Sequence, residues 1–530
     1  MKKGKVVLLA LYDLDSLSVR TLHAVLAEKG FDVQSIFFKR QNSDNTMSRP
    51  SREDILALVE TIKNSMPLFI GISVRSTLFK LASEITEVLR KELSIPVCWG
   101  GIHPTVRPEQ CIKTADIVCV GEGEGAVVEL AEALMTGGDI NDIKNLWVRE
   151  GDQIFRNELR PLVQDLDALP FPDYTGQNKL FIEAGQVHEV PGNTERTIYW
   201  MMTARGCMFN CTYCCNNSLK KAYRGLGKYL RRRSPQSIID ELTYMKEKVL
   251  PNLNFVVFVD DIFVYDIDWL REFKVLYKER INLPFCCFFH PKVINEGLAA
   301  ELKDAGVEFM IAGIQSGSET TRKKYFKRFE SNRVILNAAM ILKKYGIDCA
   351  YNIILDNPVE TESDQMETLK LLLKMQRPYE LQPTTLTHFP ETELTTFLVD
   401  EKLIAPEDVE DVRQKSFERW SLVLDPNRDN PQLFWDMLFY LSNKKNFPKC
   451  FVRILSRMKW LKKNPRPFAR ILRDLNPYLR TGVRSQRLKD ITFEQIAKNK
   501  QSTSFLRILR IIRHPLRYLQ NREKFISANQ

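Results

Sequence analysis

Three cysteines stand in one short stretch, Arg205-Gly206-Cys207-Met208-Phe209-Asn210-Cys211-Thr212-Tyr213-Cys214-Cys215. Three residues separate the first pair and two separate the second. That spacing lets a single tight loop gather Cys207, Cys211 and Cys214 around a common centre. Three thiolates can hold three irons of a cubane 4Fe-4S cluster and leave the fourth iron open. An open position is what a catalytic metal site keeps for an exchangeable ligand. Zinc is the competing metal, but a closed structural zinc site wants four ligands, usually as two pairs, and no second Cys-x-x-Cys follows at finger spacing. Cys215 reads as a bystander thiol, with a ligand role as its alternative.

Other residues with chemical potential lie where apolar runs end. In the first third these are Ser73, the loop Gly100-Gly101-Ile102-His103-Pro104-Thr105, and the loop Gly121-Glu122-Gly123-Glu124-Gly125. Glycine permits the tight turns and close backbone approach that a ligand loop needs. Further on, Asp260-Asp261 closes an apolar run, and such a carboxylate pair could accept hydrogen bonds from an ammonium or from ribose hydroxyls. Either aspartate alone could equally be a helix N-cap. Ser316 and Glu319 stand at capping-box spacing as well as in a candidate polar site. His290 ends another strand, where it could move a proton or make a structural hydrogen bond.

The elements that must position these residues alternate. Residues 1–145 contain apolar runs at 6–11, 33–38, 68–73, 95–100 and 117–120, separated by amphipathic segments such as 16–30, 53–64 and 78–93. This pattern predicts a Rossmann-like, doubly wound parallel sheet, whose ligands bind beyond the carboxyl ends of the strands. Residues 146–195 read as a hairpin followed by a proline-rich connector. From 196 to 404 the alternation resumes with six strand candidates, at 198–203, 255–259, 285–289, 309–313, 350–355 and 382–387. Six repeats predict an incomplete (β/α)6 barrel with its chemistry at the strand carboxyl ends. Residues 405–530 become helical, aromatic and basic. The fold class is therefore α/β, with two parallel-sheet modules and a helical basic C-terminal region.

The cysteine stretch resembles the CxxxCxφC loop of the radical S-adenosylmethionine (radical SAM) enzymes, with Tyr213 as the aromatic φ. The resemblance implies that S-adenosylmethionine chelates the open iron and that one electron cleaves it to a 5'-deoxyadenosyl radical. Residues 1–145 resemble the cobalamin-binding domain that precedes the radical module in one radical SAM subfamily, through the phrases GGIHPT and GEGEGAVVEL. Methionine-synthase-like cobalamin domains carry Asp-x-His-x-x-Gly. Here the corresponding loop, Leu11-Tyr12-Asp13-Leu14-Asp15-Ser16, has no His, so the resemblance implies cobalt without a protein histidine ligand. His23 reads as a helix-face residue, and His103 either neighbours the corrinoid or caps its loop. The resemblance extends to the linker DLDALPFPDY, to Gly313–Glu319 near the adenosyl group, and to Phe389–Ile404, which closes the barrel. Asp356-Asn357-Pro358-Val359-Glu360-Thr361 departs from the habitual Gly-x-Pro-Gly-Glu-Thr at Asp356 and Val359, which puts the substrate in doubt.

The implied activity is a cobalamin-dependent radical SAM reaction, first of all methyl transfer to an unactivated carbon of a lipid or other small molecule. Ring formation or rearrangement is the alternative within the family, and RNA modification an alternative outside it. The implied cofactors are a 4Fe-4S cluster, S-adenosylmethionine and cobalamin; the implied reducing partner is a flavodoxin or ferredoxin. Eleven cysteines without pairing periodicity fit reduced thiols and a cytoplasmic setting. The net charge of +11 is uneven: residues 441–530 hold 23 Lys+Arg against 4 Asp+Glu, or +19, leaving 11 − 19 = −8 for the remainder. Arg507, Arg510, Arg513 and Arg517 stripe one face of a segment whose other face is Ile and Leu. This reads first as a helix lying on the inner membrane face and second as a nucleic-acid patch, with docking on its own barrel as the plain alternative. Nucleic acid is not the expected partner.

Overall fold

The structure is a computed structural model, and it describes residues 3–41, 47–190, 196–411, 424, 428–475, 479, 481 and 483. The first module contains strands β1 (Lys3–Leu11), β2 (Phe31–Phe38), β3 (Ile70–Ser73), β4 (Val97–Gly100), β5 (Ile117–Cys119), β6 (Leu146–Glu150), β7 (Gln153–Arg156), β8 (Lys179–Glu183) and β9 (Gln186–Glu189). They form one sheet in the order β7-β6-β5-β4-β3-β1-β2-β8-β9. The core β5-β4-β3-β1-β2 is parallel, as the alternating sequence requires. Along β1, Val7, Leu9 and Leu11 face one core while Val6, Leu8 and Ala10 face the other, so both sides of the sheet are dry. Helices Arg52–Ser65 and Phe79–Glu92 cover one side, and Leu17–Glu28 and Glu124–Thr136 the other.

The segment 146–195 does more than connect. Its expected hairpin, β6–β7, extends one edge of the first sheet antiparallel to β5. A second hairpin, β8–β9, lying where only a connector was expected, extends the opposite edge beside β2. Its alternation is weak, because every residue of β9 is exposed. The proline-rich stretch is fastened to the first helix by a buried polar group. Arg20 donates to the Asp173 carbonyl at 3.0 Å and stacks on Tyr174. His23 joins Ser35 at 2.8 Å and the Asp173 carboxylate at 3.2 Å, so it is a buried anchor rather than a plain helix-face residue.

The second module begins with β10 (Ile198–Met201), continues through the short ribbon β11 (Ala204–Arg205) and β12 (Arg231–Arg232), and then supplies β13 (Phe255–Phe258), β14 (Phe285–Phe289), β15 (Val307–Gln315), β16 (Asp348–Leu355) and β17 (Glu380–Thr385). The parallel order β10-β13-β14-β15-β16-β17 leaves β10 and β17 as unjoined edges, an incomplete barrel of six strands. Its outer face packs on the crossover helices. Its inner face holds Phe255, Val257, Cys286, Phe309, Ile311 and Ala350. The C-terminal region is helical where it is described. Helix Asn430–Ser442 packs on the barrel's outer core, and Val483 reaches the inner one. The arginine stripe 507–517 lies outside the described residues.

Candidate active site

The cysteine loop leaves the end of β10 and is tied down at its root. Asp260, just past β13, accepts the Thr203 and Ala204 backbone N–H groups at 2.7 and 2.5 Å and the Thr203 hydroxyl at 3.0 Å. Asp260 is fully enclosed, and burial pushes its carboxyl up to about 6 even against these donors. It was expected to contact cofactor; its lone pairs are instead spent on the turn that launches the loop. Gly206 follows at φ +91°, where a Cβ would lie 2.5 Å from the Tyr229 carbonyl oxygen, so only glycine fits before Cys207.

Cys207, Cys211 and Cys214 are half-buried and lie within one another's electrostatic reach. Cys214 sits at the N-cap of helix Cys215–Ala222. A hydrogen bond from Cys215, with the Asn216 amide 3.7 Å away, lowers the Cys214 thiol to about 7. Burial pushes Cys207 up to about 11. Burial also raises Cys211, opposed by Arg328. Arg328 is a functional residue the sequence reading missed. Its buried guanidinium donates to the Gly313 carbonyl at 2.7 Å, to Glu330 at 2.7 Å and to the Tyr213 hydroxyl at 3.3 Å, and it approaches the Cys211 sulfur at 3.9 Å. Glu330 in turn faces His290 Nε2 at 3.6 Å, and the His290 ring stacks on Phe209 of the cysteine loop at 3.9 Å. His290 Nδ1 accepts the Lys292 N–H, and burial holds the ring neutral, so it braces the loop.

These residues suit a cubane better than a single ion. Among the described residues no group of three or more His, Cys, Asp or Glu is placed to chelate one metal. A cluster asks less convergence, since each thiolate binds a separate iron. The three sulfurs, with a cation at Cys211, fit a 4Fe-4S cluster with one iron free. Asp261 is exposed beside this loop, within reach of the Asn216 side chain. Ser316 donates its hydroxyl to Glu360 and accepts the Ser318 N–H at 3.0 Å. Glu319 is drawn away: its carboxylate accepts the Asn332 N–H at 2.7 Å and so caps helix Asn332–Lys344. The expected adenosyl contact for Glu319 is therefore replaced by a structural one. Asp356, the departure noted in the sequence, is ion-paired with Arg428, which also holds Asp436 at 2.7 Å.

Beyond the carboxyl ends of the first sheet is a cavity of about 320 Å³. Ser73, Gly100, Gly101, Gly121, Glu122, Gly123 and Glu124 all line it, and Pro170 and Pro172 of the connector roof it. It runs inward between the first helix and the sheet, past Leu8, Phe69 and Gly71, as an apolar slot. Such a slot suits the flat aromatic tail of a corrinoid, and the rim of glycines suits its ring, so these residues fit cobalamin. His103 does not line the cavity. Its ring is fully buried, takes Ser76 Oγ at 3.0 Å and packs against Phe79, so it holds the loop rather than the corrinoid.

The two glutamates of this rim are also committed elsewhere. Arg205, two residues before Cys207, donates to Glu122 at 2.9 Å and to Glu124 at 2.6 Å. Arg231, its partner on the ribbon, donates to Glu122 at 2.9 Å and to the Val163 carbonyl at 2.8 Å. A Cβ on Gly121 would lie 2.3 Å from the Tyr223 hydroxyl, so glycine alone allows this close approach. Met202, Ala204 and Arg205 complete the cavity wall, which places the root of the cysteine loop against the first module's rim.

Comparison with known proteins agrees with this geometry. The B12 binding domain family matches residues 4–131, and the Radical SAM superfamily matches residues 201–372. The chain is thus a radical SAM enzyme with an N-terminal B12-binding domain. It is 27% identical over 358 residues to an uncharacterized methyltransferase of Pyrococcus horikoshii, covering 66% of this chain and 72% of that one. It is 23% identical to the bacteriochlorophyllide d C-8(2)-methyltransferase of Chlorobaculum tepidum, over 69% and 74% of the two chains. The solved structure of the radical SAM methyltransferase TsrM from Kitasatospora setae, with cobalamin and a [4Fe-4S] cluster bound, superposes with a TM-score of 0.60 at 17% identity, covering 76% of this chain and 78% of that one. The chain belongs to the cobalamin-dependent radical SAM enzymes, and its cofactors are a 4Fe-4S cluster, S-adenosylmethionine and cobalamin.

Proposed function

We propose that this enzyme transfers a methyl group to an unactivated carbon of an apolar small molecule. The observation that carries the reading is the shared wall: the rim of the cobalamin-side cavity and the root of the cysteine loop meet through Glu122, Glu124 and Arg205. When bound, the cofactors supply hydrogen abstraction and a methyl group. The protein's own residues then have three tasks. Cys207, Cys211 and Cys214 would hold the cluster, with Arg328 balancing charge beside Cys211. Asp261 would orient S-adenosylmethionine. The inner barrel face, where Ile198, Trp200, Val259 and Phe288 pack over the apolar core, would take the substrate and exclude water. That lining supports an apolar carbon skeleton such as a lipid or isoprenoid. A one-electron donor such as a flavodoxin or ferredoxin would serve as reductant, and the 507–517 stripe would hold the enzyme near a membrane-borne substrate.

The test uses anaerobically reconstituted enzyme, a strong reductant, lipid extract and S-adenosylmethionine bearing a deuterated methyl group. Methyl transfer predicts S-adenosylhomocysteine together with 5'-deoxyadenosine, and label in a lipid product. Several relatives are named magnesium-protoporphyrin IX monomethyl ester cyclases, which favours ring formation as the second reading. Formation of 5'-deoxyadenosine with cobalamin bound but no S-adenosylhomocysteine would favour that reading and defeat the first.

A further inference from the structure

The described C-terminal helices carry a surface of unusual composition. From 437 to 473 the sequence holds eleven Lys and Arg and no Asp or Glu. Helices Lys449–Leu455 and Lys459–Lys463 fall within it, and Arg466–Leu475 begins in it and ends just past the exposed Asp474. Val452, Leu461, Ala469 and Leu472 point into the core that backs the barrel, so the opposite faces look outward. On those faces Phe451 is 52% exposed, Ile454 56%, Met458 40% and Trp460 57%. Arg453, Arg457, Lys459 and Lys463, also exposed, stand among them. Single exposed apolar side chains are ordinary, but several large ones within ten residues mark an interaction surface.

We propose that this face docks on an anionic lipid bilayer. The inference goes beyond the catalytic reading and does not depend on the 507–517 stripe. Charge complementarity selects the occupant: Arg453, Arg457, Lys459 and Lys463 stand together with no carboxylate between them in the chain, which calls for a dense anionic surface. Its apolar members select lipid over nucleic acid. Trp460 and Phe451 suit the headgroup boundary, where aromatic side chains concentrate. Ile454 and Met458 gain from entering acyl chains, whereas a nucleic acid would stack on aromatic rings and leave both in water. The face is fastened to the enzyme body: Lys462 pairs with Glu362 at the start of helix Glu362–Lys374, and Lys449 donates to the Met375 carbonyl at its end. Docking here would therefore set the barrel itself at a defined attitude to the membrane.

The experiment is co-sedimentation of the full-length protein with vesicles of phosphatidylcholine alone or mixed with phosphatidylglycerol. Two variants test the two components: Phe451→Ser with Ile454→Ser and Trp460→Ser, and Arg453→Glu with Arg457→Glu and Lys459→Glu. The unsubstituted protein should bind only the anionic vesicles, and less as salt rises. Each cation removed should weaken binding roughly fivefold, so the charge-reversed variant should not sediment. The apolar variant should lose most binding at unchanged net charge, and both should keep the parent Tm because the substituted side chains are exposed. Wild-type binding in both variants would overturn the proposal, as would no binding by the parent. A lowered Tm with unaltered vesicle binding would assign the face to another part of this chain, and salt-sensitive retention of RNA without vesicle binding would assign it to nucleic acid; either result also overturns it.

Discussion

Two loops in this molecule leave parallel strands at their carboxyl ends and read alike in the sequence, yet they divide their work differently. The loop after β5, Gly121–Gly125, shapes its cavity with backbone and sends its charged side chains away to Arg205 and Arg231. The loop after β10 keeps its reactive side chains, the three thiols, for a ligand and receives its charges from outside, above all from Arg328. The contrast has one cause. A carboxylate in a half-buried rim is costly unless a cation meets it, so the glutamates find protein partners. A thiolate in a similar setting is stabilised by a metal, so the cysteines are left facing one another.

The sharpest way to break this comparison is to remove the thiols. Cys207→Ala, Cys211→Ala or Cys214→Ala should each abolish the 4Fe-4S signal and S-adenosylmethionine cleavage, because each thiolate would hold a separate iron. Cys215→Ala should retain a cluster, since its contact is a hydrogen bond to Cys214. Iron and sulfide content with electron paramagnetic resonance decide the matter. A full cluster in Cys211→Ala would remove the basis for assigning that loop.

The glutamate rim should respond differently. Arg205→Gln leaves the cysteines in place but frees Glu122 and Glu124 from the loop's root, at a cost on the order of 2 kcal/mol. Iron and cobalamin content should stay close to wild type. The dipolar coupling between reduced cluster and cob(II)alamin should instead report a broader distance distribution, which Arg205→Lys should partly narrow again. An unchanged distribution would show that the ion pairs are incidental to the alignment of the two modules.

Much of this was legible because it rests on period and spacing. Strands such as Phe255–Phe258 and Ile70–Ser73 are short apolar runs and announce themselves, whereas β17, ELQPTT, is legible only from its place in the alternation. The cysteine loop is a local pattern. What stayed hidden was set by contacts distant in sequence. Glu319 could have faced a ligand or capped a helix; only the fold brings the Asn332 N–H to it. His103 lies in the same loop as two cavity-lining glycines, but Ser76 and Phe79 turn its ring inward. Arg328 is one basic residue in the run Lys323-Lys324-Tyr325-Phe326-Lys327-Arg328, and nothing local separates it from its neighbours. Strand β8 carries Lys179, a buried cation whose partner Asp173 lies in the preceding connector.

The two modules should also differ in how acid and alkali weaken them. In the first, His23 is buried beside Lys179 and Arg20, and its pKa falls to about 4 from an ordinary 6.5. The folded state thus favours neutral imidazole. Its contribution is complete above 6.5 and is lost as pH falls toward 4, because only the unfolded chain binds the proton readily. In the second, Asp436 is fully buried and shares Arg428 with Asp356, and burial pushes its carboxyl up to about 8. Here the unfolded chain ionises first, so stability falls as pH rises from about 4 to 8. At about 1.4 kcal/mol per pKa unit the His23 shift is worth at most roughly 3 kcal/mol and the Asp436 shift at most roughly 6 kcal/mol. The two slopes oppose each other between pH 4 and 6.5, so melting followed by circular dichroism should show Tm nearly level there and declining from pH 6.5 to 8. His23→Gln should remove the opposing slope, so that Tm falls steadily from about pH 4 to 8; Asp436→Asn should abolish the decline above pH 6.5 and leave Tm rising from pH 4 to 6.5. If either substitution removed both slopes, the two buried groups would belong to one cooperative unit, and the division of labour between the modules would stop at their loops.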